Sequence, residues 1–104
     1  MLLKLGVDIS RLEFHCRKAL VMIGLVYFNM NIGEAVITST YEGTHSPGSL
    51  HYQNRAVDVR LPSQYKGINP EVDRAAVAQL KKDLGKDFDV LLEKDHIHVE
   101  YDPK

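Results

Sequence analysis

Apolar residues recur at helical spacing early in the chain. Ile9, Leu12, Cys16, Leu20, Ile23 and Tyr27 follow one another at steps of three or four, which makes one stripe along a helix. Arg11, His15 and Lys18 fall on the opposite side, where water is expected. Asp8 or Ser10 can cap such a helix, which is predicted to run to about Phe28. From Leu20 onward it is apolar nearly all round, so its second half is expected to be the central core element. Asn31-Ile32-Gly33 ends it, and the period then changes. Residues Ala35 to Thr40 are largely β-branched and predict a strand. In Ala56 to Leu61, Val57, Val59 and Leu61 alternate with Ala56, Asp58 and Arg60, as in a half-buried strand. The helical pattern returns from Pro70, with Asn69 as its cap, and stops at Leu84 before Gly85. Phe88 to Leu92 and His96 to Tyr101 read as strands around a turn at Glu93-Lys94-Asp95.

This order predicts one α+β domain over residues 1–104, with two main helices and a small, mostly antiparallel sheet. Tyr41 to Asn54, rich in Gly, Ser, Thr, His and Pro, separates the first two predicted strands. A loop of about fourteen residues in so small a domain marks a segment to examine for function.

Composition narrows the choices. The 104 residues are 44% hydrophobic and 26% charged, a balance that folds rather than stays disordered. Thirteen basic and fourteen acidic side chains give a net charge of −1, which argues against a dominant nucleic-acid- or anionic-membrane-binding surface, though not against a local basic stripe. The single cysteine, Cys16, excludes an internal disulfide and a four-cysteine zinc site. Its place on the helix stripe predicts a buried, inert thiol. The longest apolar run, Ala19 to Phe28, is too short for the ~20 residues of a membrane span, and no signal peptide is evident. Membrane insertion is therefore not expected.

The chain has five histidines, and the placement of those beyond the first helix is what bears on chemistry. His51 lies in the long loop and Asp58 on the following strand, pointing away from the core that Val57 and Val59 claim. In Asp95-His96-Ile97-His98, both imidazoles share one strand face while Ile97 and Val99 take the other. One Asp and two His form the ligand set of a mononuclear zinc site that keeps a position for water. Asp95 is the candidate proton shuttle, provided the turn before His96 swings its carboxylate round to that face.

These residues resemble a known family. Ser49-x-His51-x-x-Asn54-x-Ala56-x-Asp58 is similar to the S-x-H-x-x-G-x-A-x-D signature of the zinc D-Ala-D-Ala peptidases, and Asp95-His96-x-His98 to their second signature. That family shares its fold with hedgehog signalling domains and with phage L-alanyl-D-glutamate endolysins. The resemblance spans roughly Val36 to Tyr101 and is closest to small phage- and prophage-encoded members. It implies a hedgehog/DD-peptidase-like fold, one zinc ion per chain, and hydrolysis of an amide in the peptide stem of bacterial peptidoglycan. By the resemblance His51, Asp58 and His98 bind zinc, Asp95 is the general base, and His96 steadies the oxyanion. It further implies a monomer made in the bacterial cytoplasm, which reaches the wall after holin-type release or from a virion.

The chain also departs from the family pattern. Tyr41-Glu42 stands where many of its carboxypeptidases place an arginine that pairs with the substrate carboxylate. Arg55 and Arg60 are the candidate replacements, Arg60 on the predicted face of Asp58. His45, six residues before His51, is a further candidate for substrate contact, or else fixes the loop. Asn54 replaces the family glycine and is expected to keep its left-handed turn. Two rival readings stand beside the peptidase: a non-catalytic, zinc-containing peptide- or wall-binding module of the same fold, and a metal-free virion structural protein.

Overall fold

The computed structural model describes residues 1–40 and 54–103. The elements run β1 (Leu2–Leu3), α1 (Phe14–Asn29), β2 (Val36–Ser39), β3 (Ala56–Arg60), a 3-10 turn (Pro62–Gln64), α2 (Glu71–Leu84), β4 (Phe88–Leu92) and β5 (His96–Tyr101). The five strands form one mixed sheet in the order β1-β2-β3-β5-β4. Among the described residues only the β1–β2 pair is parallel. The expected α+β class with a mostly antiparallel sheet and two main helices is what the chain adopts.

Period-two alternation builds the core. Val57 and Val59 of β3, Ile97 and Val99 of β5, and Val90 of β4 are all buried. They form a single cluster with Leu12, Cys16, Leu20, Ile23 and Tyr27 of the first helical region and with Ala76, Val77 and Leu80 of α2. Both helices therefore cover the same face of the sheet, in two layers. Of the stripe read from the sequence, Leu12, Cys16, Leu20, Ile23 and Tyr27 are buried, and Ile9 packs half-buried against them.

Two details of α1 differ from expectation. The helix starts at Phe14, not near Asp8: the Glu13 carboxylate accepts from His15 N and caps it. Asp8 instead accepts from Ser10 N and closes a local turn. Nor is the second half of α1 buried all round. Val21 and Phe28 are 67% and 75% exposed and Leu25 is also exposed, because in a two-layer fold the outer side of a helix has nothing to pack against. No helix among the described residues is long and apolar enough to cross a membrane.

α2 follows its sequence signals closely. Asn69 Oδ1 accepts from Glu71 N at its start, Lys81 and Lys82 lie in its last turn, and Gly85 follows with φ of 87°. Asp73 is a buried carboxylate on this helix, accepting from Ser63 N (2.8 Å) and Ser63 Oγ (2.6 Å). That pair ties α2 to the 3-10 turn leaving β3. The edge strand β1 has no counterpart in the sequence reading. Two residues are too few to show a period.

Candidate metal centre

β3 and β5 are adjacent central strands, and their register brings the ligand-type residues together. Asp58 stands directly opposite His98, and Arg60 opposite His96. Directly opposed side chains start about 5 Å apart, and diagonal neighbours remain within reach of long side chains. On the far side of β3, the pairing with β2 shifts between Ile37 and Ser39, opposite Asp58. Such bulges re-aim side chains and often accompany functional sites.

The result is a compact donor set. His98 Nδ1 lies 3.0 Å from Asp58 Oδ1, and His96 Nε2 lies 3.5 Å from the same oxygen. One ligand atom from each of Asp58, His96 and His98 falls within 4.8 Å of the other two. Ligands at zinc bond lengths in a tetrahedral array are about 3.3 Å apart, so the donor spacing fits a cation of that kind. The chemistry fits as well: one carboxylate and two imidazoles, with Asp58 buried at the base and the imidazoles half-buried. The described residues thus contain a possible metal-binding triad, whose donor types suit zinc without excluding other divalent ions.

Electrostatics agree with the geometry. Burial disfavours a charged His98, but the hydrogen bond and charge of Asp58, backed by Glu100 and Glu93, outweigh it and raise its pKa. Asp95 lies in the bend before β5, and its Oδ1 is 2.6 Å from His96 Nδ1. The hydrogen bond from His96, then its charge, lowers the Asp95 pKa. The turn therefore swings this carboxylate to the imidazole face, the condition the sequence imposed on it. The backbone closes the turn through Glu93 N to His96 O, and Gln64 Nε2 donates to the Asp95 carbonyl.

The remaining candidates divide. Arg60 joins Asp58, His96 and Asp95 in lining a cleft of about 420 Å³, with Lys4, Thr38 and Gln64 completing the wall. Arg55 is not brought to this group. Its guanidinium lies 5.8 Å from the Tyr101 ring, which stacks on His15 of α1, so it sits on the helix side of the sheet. His51 and His45 lie outside the described residues. Asn54 has φ of 60°, so the left-handed turn expected at this position is present.

Besides Thr38 and Gln64 of the cleft wall, the sequence reading missed Glu100 and Lys4. Glu100 Oε1 is 3.6 Å from His98 Nε2, and the alternation His96, His98, Glu100 could have placed it on this face. Lys4 follows the short β1 and is bonded to the sheet through its own N–H to Ile37 O. No residue pattern before α1 pointed to it. No protein-family model matches the chain, and no curated protein matches it.

Proposed function

We propose that the protein is a mononuclear zinc peptidase acting on the peptide stem of bacterial peptidoglycan, of phage or prophage type. The observation that carries this reading is the convergence of Asp58, His96 and His98 with a carboxylate, Asp95, held beside them. The paired motifs around Asp58 and His98 supply the substrate class. Zinc, when bound, supplies Lewis acidity toward a substrate carbonyl and toward water.

The chain's own groups then have separable tasks. Asp58 and His98 hold the ion, with His51 as the third ligand that the motif implies. Asp95, with its lowered pKa, is ionised at neutral pH and can accept a proton from the attacking water. It then returns that proton to the leaving amine nitrogen as the C–N bond breaks. His96 steadies negative charge on the carbonyl oxygen. Arg60, joined by Lys4, offers positive charge to a substrate carboxylate in the shared cleft. The donor geometry also favours a second assignment, in which His96 is itself a ligand through Nε2 while Nδ1 donates to Asp95.

Elemental analysis of the purified chain, followed by muropeptide digestion with mass spectrometry, tests the proposal. One zinc per chain and a cleaved stem-peptide amide are expected. His98→Ala and His51→Ala lose zinc equally. Asp95→Ala keeps zinc and loses about 10²–10⁴ in turnover, the range typical of a lost general base. Full activity in Asp95→Ala would sink the mechanism. Zinc without any cleavage would favour the binding module, and no zinc the metal-free virion protein. Zinc retained in His96→Ala assigns it to the oxyanion, and zinc lost assigns it to the ligand set.

A further inference from the structure

Glu100 has no role in the mechanism above, yet it stands on the same face of β5 as His96 and His98. Its cross-strand partner in β3 is Ala56, whose methyl leaves the space beside it to longer side chains. The carboxylate is only 17% exposed, so it is held rather than waving in solvent. Its Oε1 is 3.6 Å from His98 Nε2, while Nδ1 of the same ring is 3.0 Å from Asp58 Oδ1. The imidazole is therefore bracketed by two carboxylates, one at each nitrogen. The nitrogens are not equivalent. Nδ1 faces Asp58, the oxygen that His96 Nε2 also approaches, and Nε2 faces Glu100. An imidazole that gives its Nδ1 lone pair to a cation carries its proton on Nε2.

We propose that Glu100 is a positioning residue that accepts the Nε2 proton of His98 and so fixes the ring and tautomer presenting Nδ1 to the cation. The role rests on the metal-site reading of Asp58, His96 and His98. The 3.6 Å contact is an ion-pair distance, and a shift of roughly 0.5 Å brings it into hydrogen-bond range. A carboxylate in this place also makes the ring a better donor, and loss of such a partner commonly weakens metal binding by about 10–100-fold.

The test is zinc affinity of the full chain, measured by competition with a chromophoric chelator, for the parent, Glu100→Ala, Glu100→Gln and Asp89→Asn. Asp89, the residue opposite Glu100 on β4, is the comparison for removing a nearby carboxylate charge. Glu100→Ala is expected to keep one-to-one stoichiometry and to bind about 10–100-fold more weakly. Glu100→Gln, which keeps an acceptor oxygen and the side-chain shape, recovers part of that loss, while Asp89→Asn changes affinity less than about threefold. In the zinc-loaded parent the His98 Nε2 proton gives a slowly exchanging imidazole resonance that Glu100→Ala loses. Unchanged affinity in Glu100→Ala overturns the role, as does an equal loss in Asp89→Asn. Loss of stoichiometry in Glu100→Gln overturns it too, by making Glu100 a ligand. A parent that binds no zinc overturns the metal reading itself and this role with it.

Discussion

The two faces of the β3–β5 pair differ in nearly everything except their backbone. Toward the helices stand Val57, Val59, Ile97 and Val99, each at most 1% exposed. Away from them stand Asp58, Arg60, His96, His98 and Glu100. The same ladder of hydrogen bonds holds both sets. A slip of one residue would move the imidazoles into the core and the aliphatic side chains out of it. The apolar face therefore fixes the register, and the register sets Asp58 opposite His98. Stability resides mainly on one side and ligand chemistry on the other.

Neighbouring positions on β5 can break that division. Ile97→Ala leaves a cavity in the core and should cost about 2–5 kcal/mol, a large part of the stability of a small domain. His98→Ala, one residue on, removes the half-buried hydrogen bond to Asp58 and should cost about 1 kcal/mol when measured with a chelator present. Urea unfolding of the two variants checks this, and equal costs would mean that the polar face is structural.

Metal addition sharpens the contrast. Zinc at a hundred times its dissociation constant stabilises a protein that binds it only when folded by about 2.7 kcal/mol. The parent should gain that amount, and His98→Ala should gain none. Chelation should return the parent to its starting midpoint. A gain that survives His98→Ala would place zinc elsewhere.

Much of this was legible because the local patterns and the tertiary demands agree. The strands at Phe88–Leu92 and His96–Tyr101 carry alternation that the fold uses directly. Parity alone turns Asp58, His96 and His98 away from the core; that they meet depends on the pairing of β3 with β5, which no single segment of sequence contains. The start of α1 could not, because Asp8 is as good a cap as Glu13 and only the pairing of Glu13 N with Asn54 O decides the entry point. The exposure of Val21 and Phe28 depends on the number of layers, which no window of sequence contains. Glu100 was legible by the same parity as His98, but a carboxylate on a strand carries no signal until its distance to the imidazole is known. Arg55 and Arg60 looked alike as surface cations. Parity separates them, and only Arg60 lines the cleft.

A polar group placed on the apolar side tests the comparison from the other direction. Asp73 is buried among the helix contacts, and Ser63 satisfies its two carboxylate oxygens. Asp73→Ala should cost about 1–3 kcal/mol, since Ser63 N loses its acceptor and α2 its tie to the 3-10 turn. Ser63→Ala removes only the hydroxyl contact and should cost less. Thermal unfolding of the two variants gives the order. The reverse order would mean that the backbone contact contributes little.

The smallest effect concerns the one ionisable thiol in the core. Cys16 is 1% exposed and donates to the Arg55 carbonyl. Burial pushes its pKa up to about 11, so the fold favours the protonated thiol. Its contribution is complete below the ordinary thiol pKa of about 8.5 and is lost as pH rises toward the folded value. Cys16→Ser keeps a donor for the same carbonyl and does not titrate in that range. Tyr27, whose hydroxyl is also raised by burial, is common to both proteins and cancels in the comparison. The difference in unfolding free energy between parent and Cys16→Ser should therefore be flat at neutral pH. Between about pH 8.5 and 11 it should move against the parent. The same protection makes native Cys16 slow to react with a thiol reagent at pH 8, and rapid labelling there would show that the region where α1 meets Arg55 opens in water.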